Sequence, residues 1–313
     1  MALDISQIVA ASYPAVVADQ RKPANQWADN AALKALERFG FVNRIDMGES
    51  IEAPLDYRAN PDTAVLASDQ DAAPLLKTEV FTAATYAVAQ MNVPVTWTKG
   101  DDAKTPTVHS KIEFAASLLT NGIDSHDDLV EQSVFTSSTA GGDELLGLNT
   151  LVPTSGTGTV GGIDASVETW WKNPVFTYVD ETDIEAAMTD TYNDCAKGSG
   201  AMLIPKLILG GSAPHALYES TLVAQQRWMD GKEADGGFKA LFFKGAPFVF
   251  SQYGGDNMYF LNPKNYSLKV SKSYFRDKGQ TETVPGQNAF YFLIYSALQF
   301  ITNNKSRLGV CKK

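Results

Sequence analysis

Histidine and cysteine are scarce: 313 residues hold three of the first and two of the second. Cys195 and Cys311 belong to no CxxC pair or Cys/His cluster, so no zinc site is expected. They read as two reduced thiols, one on a helix face and one near the C-terminus. His109 and His126 lie 17 positions apart on one helical pattern, too far to share a metal or act as a catalytic pair. His126 falls on an apolar stripe and reads as a satisfied core or interface histidine. His215 opens a helix and reads as solvated or capping. GxSxG is missing, so no Ser/His/Asp triad is nominated. Apolar runs never reach the ~18–20 residues that a membrane-spanning helix needs. Met1–Ile8 carries Asp4 and no basic stretch, so a secretory signal is not expected. Positive charge is also short, with 26 Lys and Arg against 36 Asp and Glu, a net −10. Specific DNA recognition uses a basic stripe that displaces counterions, and only short basic clusters exist, at Arg21-Lys22 and at Lys305, Arg307, Lys312 and Lys313. No catalytic, cofactor-binding or metal-ligating residue is nominated, and the chain reads as a non-enzyme without a cofactor.

The chain does have apolar content. At 44% hydrophobic it exceeds what disorder allows, and 24 Gly with 14 Pro show no collagen-like period. Its length suits two domains or one elaborate one, with a core that needs no staple.

Periodicity divides the chain. Asn25 or Asp29 can cap a helix through Ala31, Leu33, Leu36 and Phe39, stopped by Gly40. Two β-like runs, Ser50–Tyr57 and Leu75–Thr98, flank the polar segment Arg58–Pro74 and read as one long hairpin. That hairpin has few large apolar residues at its tip, so it is not expected to pack on its own core and needs a partner surface. Thr105-Pro106 then opens a helix whose stripe runs Val108, Ile112, Ala115, Leu119, Ile123, His126, Val130 and Val134. Fully helical, this spans about 45 Å, and it suits a single helix lying on a sheet. Gly122 inside it allows a kink. Further on, a helix is expected from Asp180 or Thr182 through Ile184, Met188 and Cys195, a strand at Leu203–Leu209 and a helix at Ala213–Trp228. Strands are expected at Lys239–Phe243, Pro247–Gln252, Met258–Leu261, Leu268–Val270 and Ala289–Thr302.

Several features invite chemistry and do not carry it. Gly156–Gly162 lacks the Gly-Lys-Ser/Thr ending of a phosphate loop and reads as a flexible surface loop. The acidic stretch Asp62–Asp71 lacks EF-hand spacing. Asp180, Glu181 and Asp183 suit a helix N-terminus, and the Asp101-Asp102 and Asp127-Asp128 pairs read as solvated faces. Aromatics on both faces of the last strand (Phe290, Tyr291, Phe292, Tyr295, Phe300) suit a sheet on one side and another chain on the other, or equally a plain two-sided core strand.

An ordered set of blocks resembles tailed-bacteriophage major capsid proteins. The first holds Gly147–Val152, a Gly/Thr loop, Gly161–Asp164 and Trp171–Asn173. The second holds Leu217–Glu219, Gln226–Trp228, Gly237-Phe238 and Leu241–Pro247, and the third Asn257–Pro263 with Leu268–Val270. The resemblance is strongest over about 140–272 and weak in the first 100 residues. It implies an α+β chain with the Hong Kong 97-type capsid fold. It implies an N-terminal arm at 1–44, an extended E-loop hairpin at 45–98 and the first part of the peripheral P-domain, with its spine helix, at 99–145. The axial A-domain would be 146–265, and the rest of the P-domain with the C-terminal segment 266–313. The implied function is a major head protein that self-assembles as pentamers and hexamers into the icosahedral shell of a virion, made in the host bacterial cytoplasm. Its implied partners are copies of itself, a scaffolding protein, a portal protein and decoration proteins. It would enclose double-stranded DNA without specific recognition and use no membrane. No motif marks the covalent Lys–Asn link of some relatives. Because the chain starts almost at the arm, a separate scaffolding protein or prior removal of a leading segment is implied.

Two rivals stand beside this reading. One is an encapsulin-like compartment shell of the same fold. The other is a soluble α+β hydrolase or binding protein with a long β-arm, against which the missing nucleophile and base argue.

Overall fold

The computed structural model describes residues 30–58, 79–136, 144–197, 204–224 and 241–313. The expectations for 1–29, for the acidic stretch 62–71 and for the 226–228 and 237–238 blocks lie outside the described residues. In chain order the elements are helix α1 (Ala31–Arg38), strands β1 (Val42–Ile45), β2 (Ser50–Asp56), β3 (Phe81–Ala87) and β4 (Ala89–Thr98), then helices α2 (Lys99–Lys104), α3 (Val108–Phe135) and α4 (Leu148–Leu151). Strands β5 (Thr159–Val160), β6 (Ile163–Asp164) and β7 (Val175–Thr177) follow, then helix α5 (Ile184–Ala196), strand β8 (Leu207–Gly210) and helix α6 (Ser212–Ala224). The rest are strands β9 (Leu241–Phe243), β10 (Ala246–Phe250), β11 (Met258–Leu261), β12 (Tyr266–Ser271), β13 (Asp277–Lys278), β14 (Glu282–Thr283), β15 (Ala289–Thr302) and β16 (Gly309–Lys312).

The 14-residue strand β15 organises the first sheet. Tyr295 pairs with Asn92 of β4 and with Asp277 of β13, so those strands take opposite edges. Strands β12, β13 and β14 share the second edge in turn, and β1 runs parallel beyond β12. Helix α3 lies on this sheet. Ala115, Leu119 and Ile123 pack on Val95, Trp97, Phe292 and Ile294, which alternate inward with the strand period of two. Gly122 permits the close approach, since a Cβ there would stand 2.8 Å from Val95 Cγ2. The helix runs through it unbroken.

The second sheet has the order β7-β16-β11-β8-β10-β9. Both of its faces are buried, which is why its strands read as continuous apolar runs. Ile208, Phe248 and Phe260 face α5 and α6. Leu207, Leu209, Tyr259 and Leu261 face a core shared with α1, the β2–β3 hairpin and the C-terminal half of α3. The final strand, β16, sits between β7 and β11 and returns the chain from the first sheet to the second.

Several expectations need correction. The long helix is capped by Thr107, in a reciprocal box with Ser110, two residues later than Thr105-Pro106 suggested. The separate helix α2 occupies the residues before it. The Leu75–Thr98 run divides at Val88: β3 pairs with β2, whereas β4 leaves the hairpin and pairs along β15. The described part of the hairpin also finds a core within its own molecule. Ile51, Ala53, Leu55, Ala84 and Tyr86 are buried, and the Tyr86 hydroxyl donates to the Thr302 carbonyl at 2.7 Å. Residues 30–44 likewise are no free arm, because Ala32, Leu36 and Phe41 are fully buried. The Gly-rich run forms a tight hairpin of β5 and β6. At its turn Gly161 (φ +60°) accepts from Thr85 N and would strike Ala84 if it carried a Cβ.

Candidate assembly surface

Among the described residues no group of three or more His, Cys, Asp or Glu side chains is placed to hold a metal ion, and no helix is long and apolar enough to cross a membrane. The histidines are dispersed. His109 meets Glu113 at 3.2 Å on the open surface of α3. His126 is buried, with Ser296 Oγ 2.9 Å from Nε2 and Asp127 Oδ1 3.1 Å from Nδ1, as a satisfied interior histidine should be. His215 contradicts its reading as solvated: it lies buried in helix α6 against the rings of Phe248 and Phe250. Burial pushes its imidazole below the usual value, opposed by Glu219 one turn on. Both cysteines are free, buried thiols in the core between α5 and the second sheet. Burial pushes both thiols up, Cys311 to about 12, so neither is a ready nucleophile.

The carboxylates do structural work instead. Asp101 closes a capping box with Thr98, and Asp180 Oδ1 accepts from Thr182 N at 2.9 Å. The Asp127-Asp128 pair is not a solvated face. Burial pushes Asp127 up, but the His126 bond and the Arg276 guanidinium outweigh it and hold it below the usual carboxylate range. Asp128 accepts from the Tyr253 hydroxyl at 3.0 Å. One turn on, Glu131 accepts from Ser251 Oγ at 2.6 Å and from Leu33 N at 3.2 Å. Burial raises its carboxyl despite those bonds. The polar face of α3 thus ties α1, the loop before β13 and the end of β10 to one helix. Sequence reasoning missed this joint because its partners are 98 to 149 positions away.

What remains open is apolar. Phe81 at the far end of the β2–β3 ladder is 75% exposed, and Val108 and Ile112 at the start of α3 are 50% and 44% exposed. The sequence stripe was right about their type and wrong about their burial. Val167 and Val179 beside the second sheet are 74% and 67% exposed. Strand β15 buries Phe292 and Ile294 under α3 and presents Leu293 outward. Large aliphatic and aromatic side chains at four separate places suit several modest contacts better than one ligand pocket.

No protein-family model and no curated protein matches the sequence. Solved structures do match it. The capsid asymmetric unit of cyanophage A-1(L) superposes with a TM-score of 0.63, over 94% of this chain and 95% of that one, at 16% identity. The capsid of a native GTA particle gives 0.62 over 94% of each chain at 13% identity. The encapsulin complex of Synechococcus elongatus PCC 7942 gives 0.57 over 100% and 96% at 12% identity. The fold is the Hong Kong 97-type capsid fold. Because the likeness covers nearly the whole chain, the shared object is the full Hong Kong 97-type arrangement and not a local motif.

Proposed function

We propose that this chain is the major capsid protein of a tailed phage, assembling as pentamers and hexamers into an icosahedral shell around double-stranded DNA. The observation that carries the reading is the near-complete likeness to the cyanophage A-1(L) capsid. The separate exposed apolar positions support it, since a shell subunit needs several neighbours. In this reading the first sheet with α3 is the peripheral domain, the second sheet with α5 and α6 the axial domain, and β2–β3 the base of the E-loop. The role is structural, without a catalytic step. Scaffolding, portal and decoration proteins are its expected partners, and the host cytoplasm its site of synthesis. A net charge of −10 suits a container that does not grip its DNA.

A second reading, an encapsulin-like compartment, is favoured by the Synechococcus elongatus encapsulin and by the virus-like particle of Pyrococcus furiosus, with TM-scores of 0.57 and 0.52. Particles purified from the producing culture separate the two. The phage reading expects this chain as the most abundant protein of tailed, DNA-filled particles. Tailless shells holding an enzyme and no genome would replace it with the compartment reading.

A further inference from the structure

A groove of about 270 Å³ opens where the far end of the β2–β3 ladder, the C-terminal end of α5 and the turn after β15 meet, and Tyr57, Trp170, Lys197, Asn304, Ser306 and Arg307 line it. Tyr57 and Trp170 stand 5.1 Å apart and form an aromatic wall. Lys197 ends α5 with φ 44°, a left-handed turn, and its ammonium donates to Ser306 Oγ at 2.9 Å. Arg307 donates to the carbonyls of Cys195 and Ala196, the open end of the same helix. Two cations therefore share a site whose lining holds one carboxylate, Asp56. Burial and then the Arg307 charge hold the Lys197 ammonium below the usual lysine value, against smaller opposing pulls from Cys195 and Asp194.

The complement lies at the other end of α5. Asp180, Glu181 and Asp183 are exposed there, and Val179 is among the most exposed aliphatic side chains described. Asp180 holds the turn through Thr182, and those bonds keep it ionised. The 13 residues of α5 separate the two features by about 20 Å, so they cannot meet within one molecule. A patch and its complement at separate places on one subunit suit a head-to-tail contact, which closes into a ring when the rotation between copies closes and otherwise runs on as a filament.

We propose that this groove receives the Val179–Asp183 turn of a second copy, with its carboxylates on Lys197 and Arg307 and Val179 against the Tyr57–Trp170 wall. The contact would join subunits within a capsomer, so the inference rests on the shell reading above. Charge reversal tests it. Lys197→Glu alone, and Glu181→Lys with Asp183→Lys alone, should each lower the yield of rings and particles at least about tenfold, with circular dichroism unchanged. The chain carrying all three changes restores the complement at every interface and should recover assembly. Should a reversed chain fail to fold, Glu181→Cys with Lys197→Cys in one chain serves instead. Oxidation should then give a ladder of linked subunits on a non-reducing gel. Wild-type assembly that survives each reversal, absence of rescue in folded chains, or absence of the ladder from assembled particles would overturn the contact alone. A wild-type chain that never assembles would overturn the shell reading with it.

Discussion

Leu119 has no exposed surface and packs from the middle of α3 onto the first sheet, so a charge placed there would be cut off from water without a partner. Leu119→Asp is expected to cost at least about 3 kcal/mol in chemical denaturation and to abolish particles. A variant of normal stability would mean the stripe is not buried. Lys305 is the opposite case, a native cation already buried, and its Nζ has no hydrogen-bond partner among the described residues. Burial pulls its ammonium from 10.5 down to about 8, against a smaller opposing pull from Asp164. Between those values the unfolded chain holds more protons than the folded one, so this group's contribution to stability rises with pH across the window and is lost as pH falls through it. Lys305→Met should raise stability at neutral pH by about 1–3 kcal/mol and remove that part of the pH dependence. Urea melts of both chains at neutral and alkaline pH measure the difference. A less stable Lys305→Met would show that the ammonium is held by a bond. Residues of this kind are poorly legible in sequence. Lys305 read as part of a basic cluster and His215 as solvated, because burial at an isolated position depends on elements far along the chain. Leu119 was legible because seven neighbours in its stripe repeat at helical spacing.

Among elements, α3 apart from its cap, β11 and β15 were read to within a residue or two, as was the C-terminal end of α1. Sheet membership was not readable in the same way. Strands β3 and β4 are separated by Val88 alone, yet one pairs with the hairpin and the other with β15. Both partners accept the same β-favouring residues, so only non-local pairing decides between them. The Gly-rich run carried a signal that was read as looseness. Its glycines supply positive φ at Gly156, Gly158, Gly161 and Gly162, building a hairpin that clamps β3. Gly161→Ala tests this clamp. The added Cβ would lie 2.6 Å from Ala84 Cβ and 3.1 Å from the Tyr86 ring, so the hairpin base must move. The expected cost is about 1–3 kcal/mol, with faster hydrogen exchange at Thr85 N, whose bond to Gly161 O is lost. Unchanged exchange at Thr85 would show that the two hairpins are not coupled.

On the scale of the whole molecule, the two sheets share one core and are bolted together by α3. Its apolar stripe covers the first sheet, and its Asp128 and Glu131 reach Tyr253 and Ser251 at the end of β10. A body fixed in this way holds its exposed Phe81, Val108, Val167 and Leu293 at set angles, as the proposed shell role needs. Two of the sequence blocks that carried the resemblance, Leu241–Pro247 and Asn257–Pro263, fall on strands and turns of the second sheet, whose buried faces constrain residue type. The resemblance was weakest in the first 100 residues, where the described packing uses small residues such as Ala32, Ala53 and Ala84. In the proposed role the folded chain completes itself by binding copies of itself. Size-exclusion chromatography with light scattering on the purified full chain tests it most directly. Pentamers, hexamers and closed particles should dominate as concentration rises, and a chain that stays monomeric or dimeric at every concentration while fully folded would contradict self-assembly.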